Sequence, residues 1–166
     1  MSFKSGAIRF KPGVMLHFAY GSNMDRALML RRCPTAAAIG AARLDQWRFI
    51  VTRDGYASVV PAPGEVVHGV LWQLGPRDVA AVNAYESIDS GLYRRRLLAV
   101  RRDGLIRALV YVARERRAGR PKPGYQELVV AAARAWKLPA DYVVELQRWG
   151  AARRPFARAP DVGEVA

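Results

Sequence analysis

The segment "EVVHGVLWQL", residues 65–74, limits how this chain can fold more than any other feature. In an extended strand it would place Val70 and Trp72 on one face and Val67 and Leu71 on the other. A strand that is apolar on both faces has to be covered from both sides. The chain therefore needs a fold that encloses this segment, and its 166 residues, 51% of them hydrophobic, suffice for a single domain.

Strand-like and helix-like patterns are interspersed along the rest of the chain. Strands are predicted at Met15–Tyr20, 41–52, Tyr56–Val60, Leu92–Val100 and Leu105–Val112, the last two joined as a hairpin by Asp103-Gly104. Helices are predicted over 23–33, from Pro76 to Glu86, over 125–136 and from Ala140 to Trp149. This mixture predicts an α+β domain in which helices flank a small, barrel-like mixed β-sheet.

The composition of the two ends differs from that of the middle. We expect residues 1–13 to form a flexible N-terminal arm, residues 14–150 to form the domain and residues 151–166 to form a C-terminal tail. No window has the roughly 18 uninterrupted apolar residues of a membrane helix, and the start lacks the apolar centre of a signal peptide. We therefore expect a cytoplasmic protein that does not enter a membrane.

Cysteine and histidine are scarce. Cys33 is the single cysteine, so no disulfide can form within the chain, and His17 and His68 lack the spacing of metal ligands. We expect neither a metal nor a cofactor.

The chain carries a formal net charge of +13, which raises nucleic acid as a partner. The densest basic groups are Arg94–Arg96 with 101–102, and the segment 114–122. They are consistent with solvated strand ends and a loop as well as with an anionic partner. A nucleic-acid module would need exposed aromatics between its arginines, whereas Trp72 and Trp136 fall in apolar patterns. We expect nucleic acid not to be a partner.

The first strand runs into a turn of small residues, Tyr20-Gly21-Ser22-Asn23. Because Gly21 and Ser22 carry little bulk, backbone N–H groups at this turn could approach a ligand and point at one oxygen, such as an oxyanion or a carboxylate. An ordinary turn, in which Asn23 or Asp25 caps the following helix, accounts for the same residues.

Two later residues fall on apolar helical stripes. In a helix that starts near Pro76, Glu86 lies almost directly over Val79, so its carboxylate should face inward. Lost hydration raises the pKa of such a carboxylate, which makes it a better base near neutral pH. If the helix frays before Glu86, the carboxylate is instead a solvated charge. Tyr125 is the first residue of the apolar stripe in the helix predicted over 125–136, and this spacing alone indicates a core residue.

These places together resemble the γ-glutamylcyclotransferases, including the AIG2-like proteins. The resemblance covers roughly Met15 to Trp149, and it is carried by "HFAYGSNM", "YESIDSGLYRR", "KPGYQELVVAAA" and "LPADYVVEL". It implies a small barrel flanked by helices and a reaction that needs no cofactor. The substrate would be a small γ-glutamyl compound whose free α-amine attacks its own γ-carbonyl, which releases an amine or amino acid and 5-oxoproline.

The resemblance also implies roles for individual residues. Glu86 would be the catalytic acid and base. The substrate would be bound by His17, Phe18, Ala19, Tyr20, Gly21, Ser22 and Tyr125, with Asn23 and Tyr93 as supporting partners. A family member that binds metabolites without catalysis is the alternative, and a homodimer is possible. The identity of the γ-glutamyl substrate stays open.

Overall fold

The computed structural model describes residues 12–86 and 90–150, which form five β-strands, four α-helices and one 3-10 helix. In chain order these are β1 (Met15–Ala19), the 3-10 helix (Ser22–Met24), α1 (Arg26–Arg32), β2 (Ala37–Val51), β3 (Ala57–Leu74), α2 (Pro76–Tyr85), β4 (Tyr93–Arg101), β5 (Leu105–Ala113), α3 (Tyr125–Ala135) and α4 (Ala140–Gly150). The predicted N-terminal arm, apart from residues 12 and 13, and the predicted C-terminal tail lie outside the described residues. None of the described helices is long and apolar enough to cross a lipid bilayer.

The strands close into a barrel in the order β1-β3-β2-β4-β5, which confirms the predicted α+β, barrel-like fold. All neighbours are antiparallel except β1 and β5, which are parallel and pair at His17 and Leu109. β2 and β4 meet at a single register pair, Arg43 with Arg101. The segment predicted to be enclosed lies in β3, where Val67, Leu71 and Trp72 are fully buried.

β3 differs from the prediction of two separate strands, because Tyr56–Val60 and residues 65–74 belong to one strand of 18 residues. Proline normally excludes a segment from the middle of a sheet because it lacks the N–H donor. Here residues 62–65 stand opposite Gln46 alone, and the Gln46 side chain accepts a hydrogen bond of 2.7 Å from the N–H of Gly64. The irregular pairing accommodates Pro63, while Pro61 lies next to it and pairs with Trp47.

The predicted hairpin is present as β4 and β5. Its turn places Asp103 at φ 51°, in the left-handed region that aspartate tolerates, and Arg102 N–H donates to the Gly104 carbonyl at 2.9 Å.

The last two helices cover the barrel and hold the first turn in place. Gln126 in α3 donates to the Leu146 carbonyl in α4 at 2.7 Å. Just after α3, the Trp136 indole N–H donates to the Met24 carbonyl at 2.7 Å and its ring packs edge to face on Trp72. The 3-10 helix after β1 is thereby fixed against the core.

Candidate active site

The turn after β1 is held by hydrogen bonds at its far end. Met24 N–H donates to the Gly21 carbonyl and Asp25 N–H to the Ser22 carbonyl, each at 3.0 Å. The Asp25 carboxylate accepts from Leu28 N–H at 2.8 Å and so caps α1. The capping interpretation is therefore right for Asp25, but Asn23 is left to make a different contact.

Glycine is required at position 21 because there is no room for a side chain. A Cβ at this position would stand 2.8 Å from the Tyr125 hydroxyl oxygen and 3.1 Å from the Ala57 Cβ. Its φ of −116° is not in the left-handed region, so the close approach is the reason for glycine here.

Glu86 lies one residue beyond the end of α2. The helix ends at Tyr85, and Glu86 serves as its C-terminal cap, with its N–H bonded to the Val82 carbonyl at 2.9 Å. The predicted helix thus stops earlier than its pattern indicated, yet the carboxylate is not a free solvated charge. The side chain is half-buried, and its Oε1 accepts a hydrogen bond of 3.2 Å from the Asn23 amide. Burial raises the pKa of Glu86 to about 7, and the charge of Arg32 partly offsets that rise.

A cavity of about 280 Å³ opens between this turn and the end of α2. Every residue predicted for the site borders it: His17, Phe18, Ala19, Tyr20, Gly21, Ser22, Asn23, Glu86, Tyr93 and Tyr125. The remaining lining residues are Tyr56, Ala57, Tyr85, Leu92 and Tyr111. The structure therefore brings the predicted residues together around one pocket; their roles stay predictions.

Tyrosine hydroxyls form much of the polar lining. The Tyr125 hydroxyl accepts from Ala57 N–H at 3.2 Å, and the Tyr93 hydroxyl donates to the Ala57 carbonyl at 2.7 Å. The Tyr20 hydroxyl donates to the backbone carbonyl of Tyr111. Burial raises the pKa of four phenols in this lining, those of Tyr20, Tyr93, Tyr111 and Tyr125, and the value is about 12 for Tyr111 and Tyr125. They are neutral near pH 7, where Glu86 alone among these groups is poised to exchange a proton.

His17 is buried where β1 meets β5. Its Nδ1 lies 3.2 Å from the Leu109 carbonyl, which can only accept, so Nδ1 carries the proton of the neutral ring. Burial lowers the pKa of His17 to about 4, and the ring packs edge to face on Tyr111. His17 is thus a neutral part of the cavity wall.

Comparison with known proteins decides the family. The family model described as "Gamma-glutamyl cyclotransferase, AIG2-like" matches residues 17–137, which include every residue predicted for the site. The chain belongs to this family. The human γ-glutamylcyclotransferase is 26% identical over 144 residues, covering 80% of this chain and 77% of that protein, and the mouse protein is 25% identical over the same length.

Solved structures agree with the fold. A structure titled "Gamma-glutamyl cyclotransferase" has a TM-score of 0.76 at 24% identity and covers 92% of this chain and 94% of its own. A human protein of known crystal structure has a TM-score of 0.77 at 25% identity, with 92% and 95% coverage. The barrel with its flanking helices is therefore the γ-glutamylcyclotransferase architecture.

Sequence reasoning missed several residues of the site in this family member. Tyr56, Tyr85 and Tyr111 border the cavity, and Arg32 contacts the turn from behind. The alternation of β5 placed Tyr111 on a strand, but no pattern showed that this strand pairs with β1. In α1 nothing in the sequence separates Arg32 from its neighbour Arg31.

Proposed function

We propose that this protein is an enzyme that cleaves a γ-glutamyl amide by intramolecular cyclisation. The observation that carries the proposal is the half-buried Glu86 carboxylate, whose pKa is about 7, placed in a cavity beside the turn that holds Gly21 and Ser22. A base with a pKa near the operating pH is the best suited to exchange protons in both directions. The cavity, of about 280 Å³, matches the small end of metabolite sites.

In the proposed reaction, Glu86 accepts a proton from the substrate's α-ammonium group. The freed amine attacks the γ-carbonyl carbon, a C–N bond forms, and negative charge develops on the carbonyl oxygen. Backbone N–H groups around Tyr20, Gly21 and Ser22 would stabilise that oxyanion. The bond to the leaving nitrogen then breaks as Glu86 returns a proton to it. The ring nitrogen then loses a second proton, which reaches the released amine and converts it to an ammonium ion. Two protons have left the α-nitrogen and two have arrived on the departing amine, so Glu86 ends each turnover as it began.

Ring closure suits a site in which the protein does not have to supply a nucleophile. The nucleophile is already part of the substrate, so the protein has to fold the substrate, move protons and stabilise charge. Tyr125, whose ring packs edge to face on Tyr56 at a centroid distance of 5.3 Å, would close one side of the pocket over the bound γ-glutamyl group. Tyr93 would support it through their shared contact with Ala57.

The test is a mass-spectrometric screen for 5-oxoproline. Purified protein is incubated with γ-glutamyl amino acids, γ-glutamylamines and glutathione, and 5-oxoproline release is measured for wild type, Glu86→Gln and Glu127→Gln. Glu127 is an exposed glutamate on α3 and serves as the matched control. We expect wild type and Glu127→Gln to release 5-oxoproline from at least one class and folded Glu86→Gln to be inactive. Near-normal turnover by Glu86→Gln would remove Glu86 from the mechanism.

The screen also separates the competing functions. Saturable binding of a γ-glutamyl compound without 5-oxoproline would favour a non-catalytic metabolite-binding protein. Tight nucleic-acid binding without turnover would favour a basic binding module. Against that module stands the burial of Trp72, and Trp136 is covered by the Arg26 guanidinium, 4.4 Å from the ring centroid. A cytoplasmic location, a role in glutathione metabolism and a homodimer stay predictions.

A further inference from the structure

Arg32 lies outside the cavity and contacts both the turn after β1 and the end of α2. It is the last residue of α1, is half-buried, and is not among the residues that line the cavity. Its Nη1 donates to Asn23 Oδ1 and lies 3.5 Å from Ser22 Oγ. Its guanidinium carbon lies 3.3 Å from the ring centroid of Tyr85, the residue before Glu86. One cation therefore bridges the turn after β1 and the end of α2.

The Arg32 contact determines which way the Asn23 amide points. A guanidinium group offers only donors, so it must face the amide oxygen and not the amide nitrogen. With Oδ1 held by Arg32, the Nδ2 group is directed at Glu86, whose Oε1 it meets at 3.2 Å. Without the cation, the amide could rotate by 180° and set its oxygen against the carboxylate, which would disfavour the ionised form of Glu86.

We propose that Arg32 is a positioning residue that fixes the Asn23 amide as a donor to Glu86 and keeps a positive charge behind that carboxylate. This inference rests on the proposed role of Glu86. Arg32 acts through Asn23, Ser22 and Tyr85, so it tunes the base without touching the substrate. Its loss should lower turnover and leave substrate affinity nearly unchanged.

The other titratable groups around Glu86 do not duplicate this effect. His17 and Tyr85 border the same cavity, and the His17 ring is neutral because burial lowers its pKa to about 4. Four phenols are coupled to the charge of Glu86: Tyr20 on β1, Tyr93 on β4, Tyr111 on β5 and Tyr125 on α3. Because burial raises the pKa of each phenol, all four are uncharged from acid to mildly alkaline pH. Burial raises the pKa of Glu86, and Arg32 is the cation whose charge partly offsets that rise.

The experiment is the pH dependence of kcat/KM for wild type, Arg32→Met, Arg32→Lys and Arg31→Met. Methionine retains apolar contact with the Tyr85 ring but removes charge and donors. We expect Arg32→Met to move the acid limb upward by about 0.5–1 pH unit. We expect kcat to fall about tenfold with KM within about twofold, because positioning and not binding is lost. Arg32→Lys should restore most of the pH profile, and Arg31→Met, at the exposed neighbour, should match wild type.

Two further results complete the test. Asn23→Leu should also move the acid limb upward, and its effect should not add to that of Arg32→Met if the arginine acts through the amide. A folded Arg32→Met with a wild-type profile overturns the inference; if that variant does not fold, an unchanged profile in Asn23→Leu does so. Failure of the proposed function is a separate outcome, because it shows as no 5-oxoproline from wild type, or as an active Glu86→Gln.

Discussion

The Tyr125 hydroxyl oxygen stands 2.8 Å from the point where a Cβ on Gly21 would lie. The first residue of α3 thus presses on the turn after β1, although 104 positions separate them in the sequence. The same hydroxyl accepts from Ala57 N–H, so the turn after β1, the start of β3 and the start of α3 converge on one oxygen. That convergence leaves no room for a side chain at Gly21.

We predict that Gly21→Ala is more harmful than Ser22→Ala. The added methyl group should displace Tyr125 and destabilise the fold by roughly 1–3 kcal/mol, as overpacking usually does, and impair turnover. Urea denaturation and 5-oxoproline release measure the two effects. The double variant Gly21→Ala/Tyr125→Phe should recover part of the lost stability because the clashing oxygen is gone. If Ser22→Ala is the more damaging change, the serine side chain, and not the space at Gly21, governs the function of the turn.

For α2, the sequence predicted the inward carboxylate correctly and the end of the helix incorrectly. The spacing of Val79 and Glu86 predicted an inward carboxylate on a helix, and the carboxylate does line the cavity. The helix, however, ends at Tyr85. Periodicity reports which side of an element is apolar and does not fix the last residue of a helix to better than one or two residues. It also cannot show the partner of the Glu86 carboxylate, the Asn23 amide, which comes from a turn 63 residues earlier.

Long-range contacts also explain what was missed elsewhere. The motif around Tyr20–Asn23 and the segment after Tyr85 located the pocket, because each is a local pattern that resembles one family. Arg32 and Tyr111 enter the site only through the closure of the barrel and the packing of α1. The sequence predicted two strands where β3 is one, since the contact that Gln46 makes with Gly64 cannot be seen in a one-dimensional pattern.

We predict that the rate of 5-oxoproline formation reports the ionisation of Glu86. The general base must be deprotonated in the free enzyme, and its pKa is about 7. The value of kcat/KM should therefore rise with pH up to about 7 and then level off, falling about tenfold per unit on the acid side. Glu127→Gln should give the same curve. A profile that is flat between pH 5 and pH 8 would exclude a titrating base with this pKa.

We predict that Glu86→Gln stabilises the protein at alkaline pH. The pKa of Glu86 is raised from 4.5 to about 7 in the fold, so the folded state binds this proton more tightly than the unfolded chain. As pH rises through that window, ionisation of Glu86 costs stability, and glutamine does not bear the cost. Relative to wild type, Glu86→Gln should gain on the order of 2 kcal/mol between pH 5 and pH 8. Paired urea titrations at the two pH values measure the gain, and an equal difference at both would contradict the raised pKa.

The last prediction concerns the net charge of +13. Arg94–Arg96 lie exposed along β4. Burial raises the pKa of Tyr111, and the charge of Arg95 partly offsets that rise, so the field of Arg95 reaches the cavity wall. The feature of a zwitterionic γ-glutamyl group that this charge would attract is the α-carboxylate. Such attraction is screened over about 10 Å at 0.1 M salt, so kcat/KM should fall by less than about tenfold from low to moderate salt.

Arg95→Gln should flatten the salt dependence of kcat/KM, and Arg107→Gln, on the exposed part of β5, is the matched control. Nucleic-acid binding would differ, because the release of many counterions gives a steep dependence on salt. We expect weak binding of RNA and DNA that disappears at physiological salt. Binding that persists there, from a protein that forms no 5-oxoproline with any γ-glutamyl compound, would assign the arginines to an anionic partner and not to the substrate.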